Sequence, residues 1–208
     1  MGAQRLAMRA MTHALLVIDI QADFCPGGAL AVPQGDEIVT GVNALMRDFT
    51  EVVLTQDWHP EGHSSFATAH PGKAPFETVE MDYGTQVLWP DHCVQGSAGA
   101  AFHPALAIDR AKIVIRKGGN PRIDSYSAFF ENDRTTPTGL HGYLKERGVT
   151  TLTLVGLALD FCVCYSALDA ARLGYAVTVR RDLARAIDLD GSLAAAERAM
   201  RAAGVALD

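Results

Sequence analysis

The sequence has no apolar run long enough to cross a bilayer. Its longest strongly hydrophobic stretch, residues 14–18, falls far short of the roughly 18 residues a spanning helix needs, so no membrane partner is expected. Basic clusters are also missing: 18 Lys and Arg stand against 24 Asp and Glu, a net charge of −6. That balance argues against nucleic acid or an anionic surface as the main partner. Cysteine is sparse, with only Cys25, Cys93, Cys162 and Cys164. Residues 1–11 carry Arg5 and Arg9 but no apolar segment of the signal-peptide kind. Reduced thiols in a cytoplasmic protein are therefore expected, not a disulfide framework. The common nucleotide and hydrolase signatures are absent as well: there is no GxGxxG after the first strand, no P-loop, no GxSxG elbow and no HExxH.

What is present suits one enzyme-sized domain. The chain has 208 residues, 49% of them hydrophobic, enough for a core without staples. Residues 1–11 are expected to form a disordered extension ahead of a single domain spanning 12–208. Continuous apolar runs at 14–19, 52–56, 112–116, 151–157, 176–179 and, weakly, 205–207 read as strands buried on both faces. Helical patterns at 36–49, 137–147, 161–173 and 192–203 alternate with them. Thr136, Asp160 and Ser192 stand at the candidate N-termini, and Gly148, Gly174 and Gly204 follow the C-termini. The order predicts an α/β fold: a doubly wound, mainly parallel six-stranded sheet with helices on both faces. Residues 58–103 and 118–135 break the rhythm and read as long loops over the C-terminal strand edge, where ligands bind.

The ionisable residues fall where those strands end. Asp19 closes the first run, Asp57 follows the second, Lys117 the third, and Cys162 comes shortly after the fourth. In a parallel sheet all four ends face one way, so two carboxylates, an ammonium and a thiol converge. Cys162, two residues after Asp160, is expected in the first turn of a helix, where free N–H groups and Lys117 would lower its pKa. Asp19 can accept its proton, and N–H groups around 156–159 can bind an oxyanion. Asp57 and His59 point the same way on an extended segment and, with His92, suit a borderline divalent cation. His63 is the next ligand candidate by proximity.

Five separated motifs resemble those of nicotinamidases, within the isochorismatase-like cysteine hydrolase superfamily: DIQADFCPGG (19–28), QDWHP (56–60), WPDHCV (89–94), Lys117-Gly118 and GLALDFCV (156–163). The resemblance runs from about residue 11 to the C-terminus and implies the isochorismatase-like fold. It also implies a triad of Asp19, Lys117 and Cys162, an oxyanion hole from the Ala158 and Cys162 N–H groups after a cis Leu157–Ala158 bond, and a pyridine pocket lined by Phe24, Trp89 and Tyr126. One divalent metal ion, zinc, iron or manganese, would sit on Asp57, His59 and His92. The family's further ligand position falls at Ser65, so whether Ser65 or His63 contributes stays open. The activity implied is hydrolysis of nicotinamide, and of pyrazinamide, to the acid and ammonia through a cysteine thioester, as in NAD salvage. Assembly into a homo-oligomer is left open.

Three other readings compete. Another amidase of the superfamily would keep the triad but has no need of the metal loop. A two-histidine, one-carboxylate iron oxygenase would use the metal residues and leave Lys117 and Cys162 idle. A metal-stabilised binding protein would bind nicotinamide without turnover. True isochorismatase chemistry does not need the thiol of Cys162.

Overall fold

The computed structural model describes residues 12–208; the extension expected over 1–11 lies outside them. In chain order the elements are β1 (Thr12–Ile18), α1 (Val39–Leu45), β2 (Glu51–Asp57), β3 (Thr78–Met81), β4 (Gly84–Val87), β5 (Ile113–Lys117), α2 (Leu140–Glu146), β6 (Val149–Leu157), α3 (Cys164–Arg172), β7 (Ala176–Arg185), α4 (Ser192–Ala202) and β8 (Ala206–Leu207). Six strands form one sheet in the order β5-β2-β1-β6-β7-β8, and every pairing in it is parallel.

The chain adds strands on one side of β1, then jumps back and adds them on the other. Right-handed crossovers stepping in opposite directions put helices on opposite faces, the doubly wound arrangement. The reversal falls between β1 and β6, and ligands of such sheets bind outside the carboxyl ends at that switch point. The continuous apolar run of β1 follows from its central place: Ala14, Leu15, Leu16, Val17 and Ile18 are all buried, with β2 and β6 alongside.

Close approach of β1 and β6 at that point depends on Gly156. Its φ is +118°, and a Cβ there would lie 2.1 Å from the Ile18 carbonyl oxygen. Gly156→Ala combines a disfavoured backbone with a backbone clash, so it is expected to cost at least about 2 kcal/mol in urea unfolding. A loss under 0.5 kcal/mol would show that the two strands can separate cheaply.

The structure differs from the sequence reading in two ways. The first long loop holds a separate antiparallel hairpin, β3–β4. Its strands are only four residues each, so Val79 and Met81, half-buried between exposed neighbours, alternate too briefly to register. The helices also start differently. Asp160 lies inside a π-helical turn, Leu159–Val163, ahead of α3. Thr136 precedes α2 by four residues, and Gly139 takes the left-handed position at its start. Ser192 is the first residue of α4, following left-handed Gly191. In each case the N-cap position makes no side-chain cap hydrogen bond. Asp160 and Ser192 bond to each other instead.

Candidate active site

Strand ends deliver the reactive groups in contact. The Lys117 ammonium, at the end of β5, lies 2.8 Å from Asp19 Oδ2 and 2.5 Å from Asp57 Oδ1. It also donates to the Ser125 carbonyl at 2.8 Å and stands 3.4 Å from Cys162 Sγ. Side-chain atoms of Asp19, Asp57 and Cys162 all lie within 4.8 Å of one another. Thr55 in β2 donates to Asp19 Oδ1 at 2.6 Å and fixes the carboxylate. Gln21 locks the ends of β1 and β2 together, donating to the Asp57 carbonyl at 2.9 Å and accepting its N–H at 2.8 Å.

Burial sets the electrostatics. Asp19, Asp57, Lys117 and Cys162 are all buried. Burial raises the carboxyl pKa of Asp19, against the pull of Lys117 and with a push from Asp57. Burial acts upward on Asp57 too, but Lys117 and then His59 overcome it and hold that carboxyl well below the usual range. The lysine is held well above 10.5, since its two carboxylates outweigh the burial that would lower it. The thiol departs from expectation: burial pushes Cys162 well above 9, and although Lys117 lowers it, Asp19 and Asp57 add to the rise. The expected depression of its pKa fails because Cys162 sits in a buried π-helical turn beside carboxylates, not at an open helix start. Burial thus favours the neutral thiol, beside a carboxylate whose affinity for protons burial also raises.

Its backbone surroundings match the resemblance. The Leu157–Ala158 bond is cis. The Ala158 carbonyl accepts the N–H groups of Phe161 and Val163, both at 3.1 Å, on either side of Cys162 in sequence. All four cysteines are free and buried; Cys164 packs on α4, with its thiol 3.8 Å from the Ala196 carbonyl.

A second cluster adjoins the first. His59 Nδ1 is 3.0 Å from the Gly118 carbonyl and His92 Nδ1 is 2.8 Å from the Pro90 carbonyl. A carbonyl only accepts, so both rings carry a proton on Nδ1 and turn Nε2 toward Asp57; burial works to lower the pKa of His59, but the Asp57 carboxylate outweighs it and raises it. Those nitrogens stand 3.6 Å and 3.8 Å from Asp57 Oδ2. Two imidazole nitrogens and a carboxylate oxygen, buried and with one ligand atom of each within 4.8 Å of the others, fit a borderline divalent cation. Lys117 contacts both carboxylates, Asp19 and Asp57, from the other side. Gly118 has φ +69°, and a Cβ there would meet His59 Cε1 at 2.4 Å, so the Lys117-Gly118 pair serves both clusters. His63 and Ser65 lie beside this cluster: Ser65 Oγ is 2.8 Å from His63 Nδ1, His63 Nε2 donates to the Asn120 carbonyl at 2.7 Å, and ligand atoms of His59, His63 and Asp124 lie within 4.8 Å of one another.

Between the clusters lies a small cavity lined by Phe24, Trp89, Tyr126, Phe161, Leu30 and Ile187, with Asp57, His92 and Cys162 at its polar end. Trp89 meets Phe161 edge to face at 4.9 Å and donates from Nε1 to the Tyr126 hydroxyl at 3.1 Å. Phe24, Trp89 and Tyr126 are thus brought together as expected. Sequence reasoning missed Phe161, although it sits between Asp160 and Cys162, and it missed Leu30, Ile187 and Asp124. Ile187 reaches the cavity through a tertiary pin: the buried Asp160 carboxylate accepts the N–H groups of Ile187 (3.1 Å) and Asp188 (2.8 Å) and the Ser192 hydroxyl (2.5 Å). Asp160→Ala is expected to cost about 2–3 kcal/mol in urea unfolding by stranding those donors. KM should rise more than kcat falls, because Ile187 loses its seat.

Comparison with known proteins gives a consistent picture. The Isochorismatase domain matches residues 13–208. A nicotinamidase of Acinetobacter baylyi is 53% identical over 197 residues, covering 95% of this chain and 92% of that protein. Among solved structures, an Acinetobacter baumannii nicotinamidase/pyrazinamidase is 54% identical with a TM-score of 0.94, covering 96% of both chains. A Leishmania infantum protein in complex with nicotinate is 41% identical, with a TM-score of 0.83 and coverage of 96% and 93%. A Pyrococcus horikoshii pyrazinamidase in complex with zinc is 35% identical, with a TM-score of 0.76 and coverage of 94% and 98%.

Proposed function

The chain belongs to the isochorismatase domain family and is a hydrolase of the nicotinamidase kind, and we propose that it converts nicotinamide to nicotinate and ammonia through a thioester on Cys162. The observation that carries this reading is Lys117, in contact at once with Asp19, Asp57 and the Cys162 thiol, beside an aromatic cavity. The nicotinate complex of the Leishmania infantum relative supports a pyridine ligand of this size.

Phe24, Trp89, Tyr126 and Phe161 hold the pyridine ring edge-on between them and exclude water. Asp19 takes the proton from Cys162 as the sulfur attacks the carboxamide carbon, which suits a carboxyl whose affinity for protons burial has raised. Lys117 stays charged and stabilises Asp19 and the sulfur by turns. The N–H groups of Ala158 and Cys162 receive the charge developing on the amide oxygen. Asp19 returns the proton to the leaving nitrogen, ammonia departs, and a thioester remains. Asp19 then takes a proton from water, which cleaves the thioester to nicotinate and frees the thiol. Asp57, His59 and His92 would hold one divalent cation, zinc being the ion of the Pyrococcus horikoshii relative. When bound, it supplies a Lewis acid that fixes and polarises the pyridine nitrogen.

Such an enzyme works in NAD salvage in the cytoplasm, where thiols stay reduced. No helix among the described residues is long and apolar enough to cross a membrane. The test is ammonia release from nicotinamide and pyrazinamide, with and without a chelator. Release that chelation abolishes and added Zn2+ or Mn2+ restores is the expected result. A metal-loaded protein that releases no ammonia from either amide overturns the reading.

A further inference from the structure

One buried carboxylate beside the cavity takes no part in the steps above. Asp124 is buried, and its Oδ1 faces His59 Nε2 at 4.0 Å. His59 Nδ1 donates to the Gly118 carbonyl, which leaves Nε2 turned toward the carboxylates. That nitrogen faces two carboxylate oxygens, Asp57 Oδ2 at 3.6 Å and Asp124 Oδ1. Two buried carboxylates thus converge on one imidazole nitrogen, and ligand atoms of His59, His63 and Asp124 lie within 4.8 Å of one another, close enough to share a cation. We propose that Asp124 is a further carboxylate of the metal centre, adding its charge from the His59 side, with Gln86 of the hairpin as the residue that positions it.

This rests on the metal-holding role proposed for Asp57, His59 and His92. The positioning is explicit. Asp124 Oδ1 accepts the Ser125 N–H at 2.7 Å, and Oδ2 accepts from Gln86 Nε2 at 3.0 Å. Gln86 is itself buried and shares the same amide with the Tyr126 hydroxyl at 2.8 Å. Its Oε1 accepts from Asn132 Nδ2 at 3.2 Å, and the Asn132 N–H in turn bonds the Asp124 carbonyl at 2.7 Å. Such a frame fixes both the direction of the carboxylate and the wall of the cavity. Ligand-orienting partners of this kind typically change metal affinity by about 10–100-fold when removed. The hairpin, which pairs with no strand of the main sheet, thereby acquires a function: it carries the glutamine that ties the metal side of the site to its aromatic side.

The experiment is a Zn2+ titration of the chelator-stripped full chain against a competing chromophoric chelator, a readout independent of turnover. Asp124→Asn is expected to weaken Zn2+ binding at least tenfold while the melting temperature of the metal-free protein changes little. Gln86→Leu, which keeps the carboxylate but frees it, should weaken binding in the same direction by more than about twofold, and it decides the matter should the Asp124 variant not fold. Zn2+ affinity within twofold of the parent for the folded variants overturns the proposal. His92→Ala is the reference: its failure to weaken binding would instead overturn the metal reading on which the proposal stands.

Discussion

Cys162→Ala is expected to lower kcat for ammonia release from nicotinamide by about 10⁴-fold or more, while the fold persists. Only Sγ is removed from a buried position, and the cis turn and strand β6 that place it are untouched. The physical basis is that no other group can take over: Cys164 is turned toward α4 with its thiol on the Ala196 carbonyl, and Cys25 and Cys93 are buried thiols whose pKa burial also raises. A residual rate above one tenth of the parent's would sink the covalent mechanism. The thiol direction adds a second observable. Since burial and two carboxylates favour the neutral thiol, iodoacetamide should alkylate Cys162 slowly at neutral pH.

Lys117→Met has the largest expected effect on stability. It removes the one ammonium that contacts Asp19 at 2.8 Å and Asp57 at 2.5 Å and leaves two buried carboxylates facing each other. Breaking a buried ion pair from one side costs about 3–5 kcal/mol, read as the loss of unfolding free energy in urea at pH 7, and activity should vanish with it. The sign of the pH dependence follows from the shifts. Asp57 is depressed below 3.8, so its contribution is complete above pH 3.8 and is lost as pH falls through the depressed value. Lys117 is raised above 10.5, so its contribution is complete below pH 10.5 and is lost as pH rises through the raised value. Asp19, raised by burial, works against both, costing stability as pH rises through its own value. The gap between parent and variant should therefore be wide at neutral pH and narrow on acidification below pH 3.8. A variant as stable as the parent at pH 7 would mean that water reaches the cluster.

Much of this was legible from sequence because parallel sheets make strand ends predictable. A run such as 14–19 is buried on both faces only in the middle of such a sheet, and its final residue must then emerge at the ligand edge. Asp19, Asp57 and Lys117 were placed by that argument alone, and their contacts with one another are as short as it requires. The candidate metal residues were legible because Asp57 and His59 share a side of an extended segment. The aromatic wall needed the family resemblance, since Phe24, Trp89 and Tyr126 come from three loops without periodicity.

Tertiary structure decided what depends on distances between loops. The pKa of Cys162 goes up instead of down, because burial beside carboxylates outweighs proximity to Lys117. Asp160 looked like a helix cap and is a pin for Ile187, because donors brought from 27 and more residues away outcompeted the local N–H groups. Asp124 and Gln86 carried no sequence signal, one in a loop and the other in a four-residue strand, yet they meet at 3.0 Å. From the sequence came the candidate reactive groups and the edge at which they gather, since local periodicity and chain direction suffice to place them. Their protonation and their supporting contacts came only from the folded chain, since burial and long-range hydrogen bonds have no counterpart along the sequence.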